Sequence, residues 1–285
     1  MTYYQVFLNV RDTLVQSDFE NPDFAARQLI YEAFDLNSAS YLLNKGENAP
    51  QVQCVKLLRN LGRVVSGEPL QYVLGKWEFM GHDFFVGNGV LIPRPETELL
   101  VESAFDLLSR SPKKRPVVFD LCAGSGCIGI SIAKKFPNAF IYAVEKSEKA
   151  LRYLKRNIVL NGMKNFKSVQ YDICEGFDPA FFETPDLIVS NPPYVKSGDI
   201  PGLDSVVLRE PSMALDGGED GLDFYRVLVK RWLPALCPGG GAVFECGDGQ
   251  GNEIDRMMCG LFEKTRVCND LSGIDRVVCA ENYTV

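Results

Sequence analysis

The sequence predicts an α/β protein: a seven-stranded, mostly parallel sheet in its C-terminal part, preceded by a helical bundle and a β-hairpin connector. Three observations predict it. From about Pro93 onward, short apolar runs alternate with amphipathic stretches, as strand–helix units around a parallel sheet require. The first 70 or so residues carry helical periodicity instead. Between the two regions, glycines at 67, 75, 81, 87 and 89 divide residues 66–92 into short aromatic and β-branched runs, the signature of a hairpin.

In chain order, Asn21-Pro22-Asp23 is a helix start, with Asn as cap, proline in the first turn and an acid beside it. Ala26, Leu29, Ile30, Ala33 and Phe34 then recur on one face, and Cys54, Leu57, Leu58, Leu61 and Val65 form a second stripe. Residues 1–69 therefore read as a helical bundle, 70–92 as the hairpin linker and 93–285 as the sheet-bearing domain. That domain opens with a helix over Thr97–Leu108. Strands are expected at Val117–Asp120, Phe140–Glu145, Ser168–Asp172, Leu187–Ser190 and Ala242–Cys246. Helices at Ile128–Lys135, Glu148–Leu160, Leu222–Leu233 and Gln250–Phe262 fall between or after them. A last strand pair, around Thr265–Asn269 and Arg276–Ala280, is joined by a short Ser-Gly turn and so is antiparallel. In such a sheet the ligand lies at the carboxyl ends of the strands.

The composition narrows the functions available. The chain has 285 residues, of which 46% are hydrophobic and 24% charged, enough for a substantial core. Its net charge of -7, with only the short run Lys113–Arg115 as a basic cluster, argues against a dedicated nucleic-acid surface. Nine cysteines without a Cys-x-x-Cys pair suggest reduced thiols and a cytoplasmic protein. The start, MTYYQVFLNVRD, lacks signal-peptide character, and no run of 18 apolar residues spans a membrane. His82 is the only histidine, which leaves no His-based metal cluster, and no metal is assigned.

Phe119–Gly129 reads FDLCAGSGCIG, where the first parallel strand turns into its helix. Gly124, Gly126 and Gly129 satisfy the dinucleotide spacing, and Glu145 ends the next strand where ribose hydroxyls would lie. A nicotinamide dehydrogenase is one reading. The other rests on Asp120, four residues before Gly124: a carboxylate there repels a pyrophosphate and suits a cofactor with an ammonium group and no phosphate. The pattern D-x-x-x-G-x-G resembles the cofactor loop of class I methyltransferases that use S-adenosyl-L-methionine (SAM) and release S-adenosyl-L-homocysteine. That resemblance places the cofactor against Asp120, Cys122, Ala123, Gly124, Ser125, Gly126, Glu145 and Asn191. Asp172, ending VQYDI, would receive the adenine amino group, with Ile173 packing on the ring; a solvent-facing strand end explains Asp172 equally well.

The fourth strand ends in Ser190-Asn191-Pro192-Pro193-Tyr194. Proline cannot continue a sheet ladder, so the plainest reading is a strand terminator. The Asn-Pro-Pro-Tyr motif at this position also resembles methyltransferases acting on planar, amide-like nitrogens. Their lone pair is delocalised, and they react poorly unless oriented. On this reading the Asn191 side-chain oxygen and the Pro192 carbonyl each accept one N–H of the target, while Tyr194 lays a flat face against it.

Upstream, LIPRPETE (Leu91–Glu98) is at minimum a helix-start signal. In combination with the glycine loop, NPPY and REPSMALDGGEDGLDFYRVL (Arg209–Leu228), the chain resembles, over nearly its whole length, the peptide chain release factor glutamine methyltransferases. The resemblance implies methyl transfer from SAM to the glutamine side-chain nitrogen of the Gly-Gly-Gln loop of class I release factors. It also implies that Arg94, Pro95 and Glu96 form the mouth, that Asn191, Pro192, Pro193 and Tyr194 hold the glutamine, and that the helical domain grips the release factor. Two departures stand out: Glu145 replaces the commoner Asp, and Cys122-Ala123 replaces Gly-Thr. An exocyclic amino group of RNA or DNA is the competing substrate, and a non-catalytic SAM- or nucleotide-binding adaptor the competing class.

Overall fold

The computed structural model describes residues 1–285, which form two compact units: Met1–Lys76 with Asp204–Arg209, and Trp77–Leu203 with Glu210–Val285. The division falls inside the segment read as a linker.

The first unit carries α1 (Tyr3–Gln16), α2 (Pro22–Phe34), α3 (Ser38–Asn44), α4 (Gln51–Val65) and α5 (Leu70–Leu74). Asn21 caps α2 as expected, its side chain accepting the Phe24 N–H at 3.3 Å. Ala26, Leu29, Ile30 and Ala33 are buried against Val6, Val10 and Leu14 of α1. The α4 stripe differs from the expected one. Leu57, Leu61 and Val64 face the core, whereas Leu58 and Val65 are 63% and 43% exposed. Adjacent helical positions are turned by about 100°, so Leu58 falls outside the face that Leu57 and Leu61 define.

The second unit begins within the hairpin of β1 (Lys76–Phe79) and β2 (His82–Phe85), which is followed by α6 (Thr97–Arg110). Next come β3 (Val117–Leu121), α7 (Cys127–Lys135), β4 (Phe140–Glu145), α8 (Glu148–Leu160), β5 (Phe166–Gln170) and β6 (Leu187–Ser190). The chain ends with α9 (Asp223–Val227), β7 (Gly241–Glu245), α10 (Gly251–Met258), β8 (Phe262–Asn269) and β9 (Asp275–Tyr283). The seven-stranded sheet has the order β5-β4-β3-β6-β7-β9-β8, parallel except for β9, which is antiparallel to both neighbours. Both faces are covered, which is why strands such as VVFDL and GAVFE are buried along their whole length. Successive residues alternate between the faces. Phe119 and Leu121 pack with Tyr142, Ile188, Phe244 and Trp232; Val118 packs with Ile141, Val189 and Val243 beneath α6 and α7.

Three expected boundaries move. β5 stops at Gln170, so Asp172 lies beyond the strand and caps a short turn, accepting the Cys174 N–H at 2.9 Å. The expected helix over Leu222–Leu233 is broken: α9 passes into a π-helical turn over Leu228–Trp232, then a tight turn at Pro234, which has no N–H to continue the ladder. The helix expected to reach Phe262 ends at Met258, because Gly260 adopts φ +81° and turns the chain into β8. No helix is long and apolar enough to cross a membrane.

Gly129 marks a close approach of α7 to the sheet. A Cβ there would meet Asp120 Oδ2 at 2.9 Å, Ile141 at 3.0 Å and Phe166 at 3.2 Å. Gly129→Ala gains helix propensity but overpacks this contact, and should lose about 1 kcal/mol or more in net stability. Urea unfolding, read as a lower midpoint at unchanged slope, measures it.

Candidate functional site

The strand order reverses between β3 and β6, where β4 and β5 continue to one side and β7 to the other. Loops leaving the two central strands diverge there, and a cavity opens at their carboxyl ends. Its wall takes Leu91–Arg94 and Thr97 from the segment entering α6, Cys122–Ser125 after β3, and Glu145–Ser147 after β4. Tyr171–Ile173, Asn191, Pro193, Pro211, Met213, Ala214 and Phe224 complete much of the remainder.

The glycine loop is held at both ends. Ser190 Oγ donates to the Leu121 carbonyl at 2.7 Å, tying the ends of β6 and β3 together. Cys122 takes a left-handed φ of +61°, a conformation that favours glycine, the residue the resemblance leads one to expect here. Gly126, at φ +81°, starts α7. Glu145 accepts the Gly124 N–H at 2.8 Å and the Ser147 N–H at 2.6 Å. Burial raises its carboxyl pKa, while these amides oppose the rise. Beneath the loop, fully buried Asn157 donates to the Ser125 carbonyl at 2.9 Å and exchanges hydrogen bonds with Phe85 at 2.7 and 3.1 Å.

Not all expected residues line the cavity. Cys122, Ala123, Gly124, Ser125, Glu145, Asp172, Ile173, Asn191, Pro193 and Arg94 do; Asp120, Gly126, Pro95, Glu96, Pro192 and Tyr194 do not. Asp120 is a correction. Strand alternation turns it away from the face of Phe119 and Leu121, towards α7, where its Oδ2 accepts the Gly129 N–H at 2.9 Å. It is fully buried, its Oδ1 has no hydrogen-bond partner, and burial pushes its pKa up to about 7. Asp120 braces the loop from behind.

The wall's two cations are each neutralised. Lys146 pairs with Asp172 at 2.7 Å, and Arg94 pairs with Glu210. Glu210 is buried and also accepts the Ile92 N–H at 2.9 Å, so it clamps both ends of Ile92–Arg94. With Glu145 nearby, the cavity offers carboxylates and no unpaired cation for a pyrophosphate, which disfavours the dinucleotide reading.

The Asn191–Tyr194 turn is fixed from three directions. Asn191 Nδ2 donates to Thr97 Oγ1 at 3.3 Å. Gln250 Nε2 donates to the Tyr194 carbonyl at 3.0 Å. Gly217 packs so closely that a Cβ there would meet Tyr194 Cα at 2.7 Å and the Pro193 carbonyl at 2.8 Å. The Tyr194 hydroxyl points to Glu245, 3.5 Å away, rather than into the cavity. Glu210, Gln250, Thr97, Asn157 and Glu245 were not singled out from sequence. Glu210 and Thr97 do stand inside the quoted REPSMALDGGEDGLDFYRVL and LIPRPETE segments, which offered a signal without a role; Gln250, Asn157 and Glu245 act across long separations.

The buried carboxyl of Asp120 predicts a pH dependence. Its pKa is raised in the fold, so the folded state holds the proton more tightly than the unfolded chain, and stability falls as pH rises between the two values. Relative to Asp120→Asn, the wild type should lose stability from about pH 4, levelling off above about pH 7, as urea unfolding across that range will measure.

Comparison with known proteins agrees with this architecture. The family model for the Methyltransferase small domain matches residues 97–209, and that for the PrmC N-terminal domain matches residues 5–75. A release factor glutamine methyltransferase of Geobacter sulfurreducens is 38% identical over 278 residues, covering 94% of this chain and 92% of its own. One of Thermodesulfovibrio yellowstonii is 38% identical over 244 residues, 84% of each chain. The crystal structure of a methyltransferase from Pyrococcus furiosus superposes with a TM-score of 0.51 at 19% identity, covering 83% of this chain and 100% of that one, and so shares the fold. The strand order, the cavity at the switch point and relatives matched along nearly their whole length lead to one conclusion: the chain belongs to the release factor glutamine methyltransferase family.

Proposed function

We propose that this protein transfers a methyl group from SAM to the side-chain amide nitrogen of the glutamine in the Gly-Gly-Gln loop of class I peptide chain release factors, in the cytoplasm. The observation that carries the proposal is the rigid Asn191–Tyr194 turn at the end of β6, with Asn191 and Pro193 on the wall of a cavity at the switch point.

The residues present fit SAM. Glu145 keeps acceptor capacity for ribose hydroxyls beyond the two N–H groups it already receives. Tyr171, Asp172 and Ile173 line the side where an adenine would lie, Ile173 as an apolar surface and Asp172 as an acceptor already paired with Lys146. Ala123, Gly124 and Ser125 supply a floor without bulky side chains, and Cys122 borders it. When bound, SAM supplies an electrophilic methyl carbon.

An amide nitrogen is a weak nucleophile because its lone pair is delocalised into the carbonyl. The Asn191 oxygen would accept one of its two N–H bonds. The Pro192 carbonyl, which does not line the cavity as it stands, would accept the other once substrate is seated. Together they would turn its lone pair towards the methyl carbon and offset the positive charge that develops on nitrogen. Both prolines are buried, so the carbonyls keep one direction. Arg94, Pro95 and Glu96 would shape the mouth, with Arg94 acting through its pair with Glu210. The helical unit within residues 1–69 would grip the release factor, 70–92 would link, and 93–285 would carry the chemistry.

The test is methyl transfer to a purified release factor, read by peptide mass. One added methyl on the Gly-Gly-Gln glutamine, lost when that glutamine is alanine, is the expected result. Asn191→Ala should lower kcat about 100-fold or more. SAM binding without transfer, together with strongly salt-dependent RNA binding, would instead indicate a nucleic-acid amino group.

A further inference from the structure

Glu245, the last residue of β7, is a carboxylate that the turn and the cofactor cavity leave unassigned. It is 2% exposed, and its Oε2 is buried with no hydrogen-bond partner. β6 and β7 run parallel with Ser190 opposite Phe244, so the next residues along, Asn191 and Glu245, are neighbours across the sheet. Thr97 and Asn191 both border the carboxylate: the Thr97 hydroxyl accepts from Asn191 Nδ2 at 3.3 Å, and each of the two side chains favours the ionised form of Glu245.

A hydroxyl has one proton to donate. If Thr97 gives it to the carboxylate, its oxygen is left to receive the Asn191 NH2. In the opposite amide orientation, Asn191 Oδ1 would face the carboxylate and the threonine lone pairs, an acceptor-to-acceptor contact that the buried setting makes costly. The carboxylate therefore selects one of two amide orientations, the one that leaves Oδ1 for a ligand in the cavity. A negative charge behind the NH2 end also draws electron density towards Oδ1 and strengthens it as an acceptor.

We propose that Glu245 is a positioning residue: acting through Thr97, it fixes the Asn191 amide with its oxygen available to the substrate and polarises that oxygen against the positive charge developing on the methylated nitrogen. The inference rests on the acceptor role of Asn191 in the proposed transfer. It requires Glu245 to be ionised during transfer. Burial pushes its pKa up to about 7; Thr97 pulls it down, Glu96 raises it, and Arg276 and Asn191 lower it. The Tyr194 hydroxyl at 3.5 Å and the Cys246 and Cys127 thiols are its other titratable neighbours, and Tyr225 donates to its main-chain carbonyl at 2.7 Å. An ionised Glu245 then makes kcat rise with pH through an acidic limb near pH 7.

The experiment compares wild type, Glu245→Gln and Thr97→Val with SAM and a release factor substrate, each varied while the other is saturating, as kcat and KM from pH 5.5 to 9. Wild-type transfer that Asn191→Ala abolishes establishes the acceptor role first; its failure would count against the function itself and is separable from the Glu245 result. Glu245→Gln should reduce kcat roughly tenfold or more while the KM for SAM changes less than about twofold, and should remove the acidic limb. Thr97→Val, which keeps shape and removes the hydroxyl, should also lower kcat at unchanged KM for SAM. An unchanged kcat in Glu245→Gln overturns the proposal, and so does a reduced kcat with the wild-type limb intact, because another group would then be titrating. Should Glu245→Gln not fold, Thr97→Val decides: wild-type kcat in that variant overturns the relay.

Discussion

The parallel pairing of β3 with β6 is the constraint on which the rest of the second unit depends. Val118 to Leu121 lie opposite Leu187 to Ser190, and a buried Ser190 hydroxyl closes the junction on the Leu121 carbonyl at 2.7 Å. Because the strand order reverses at this pair, the glycine loop and the Asn-Pro-Pro-Tyr turn leave neighbouring strands in different directions and bound one cavity between them. Both central strands are buried on two faces, so the junction is held by packing from Trp232 and Phe119 on one side and from α6 and α7 on the other. The site inherits its rigidity from that core.

Around this junction, polar groups act mainly as braces. Asp120 and Glu145 receive backbone amides of the glycine loop and α7; Glu210 receives the Ile92 amide and the Arg94 guanidinium; Gln250 holds the Tyr194 carbonyl. Each is a carboxylate or amide whose own burial is costly, and each offsets that cost by fixing a loop segment or, for Asp120, the first turn of α7. The chemistry of the site falls to few groups because many others hold them still.

What was legible in the sequence was local. Strand and helix order followed from apolar periodicity, the glycine loop from its spacing, and the acceptor turn from two prolines after a buried run. The orientation of Asp120 was in principle also legible, since it stands between Phe119 and Leu121 on a strand, and alternation sends it to their opposite face. The end of β5 was less so, because VQYDI carries no breaker and the ladder stops through the capping turn at Asp172. Gln250, Asn157 and Glu245 could not be found by local pattern, and Glu210, although inside a quoted segment, could not be given its role there: their partners lie far along the chain, as Ile92 does from Glu210, and nothing beside them in sequence announces the pairing. On α4, choosing between Leu57 and Leu58 as the core residue turns on one step of about 100°, which an apolar pair at adjacent positions does not resolve.

Asn157 ties three backbone groups to one buried amide: the N–H and carbonyl of Phe85 in the hairpin, and the carbonyl of Ser125 in the glycine loop. In mechanical terms, α8 is a common anchor, and the two segments cannot be displaced independently without breaking hydrogen bonds to a fully buried side chain. A load on the hairpin is thus transmitted to the floor of the cavity through the helix that Asn157 belongs to, and the stiffness of that floor is a property of the helix beneath it more than of the loop itself.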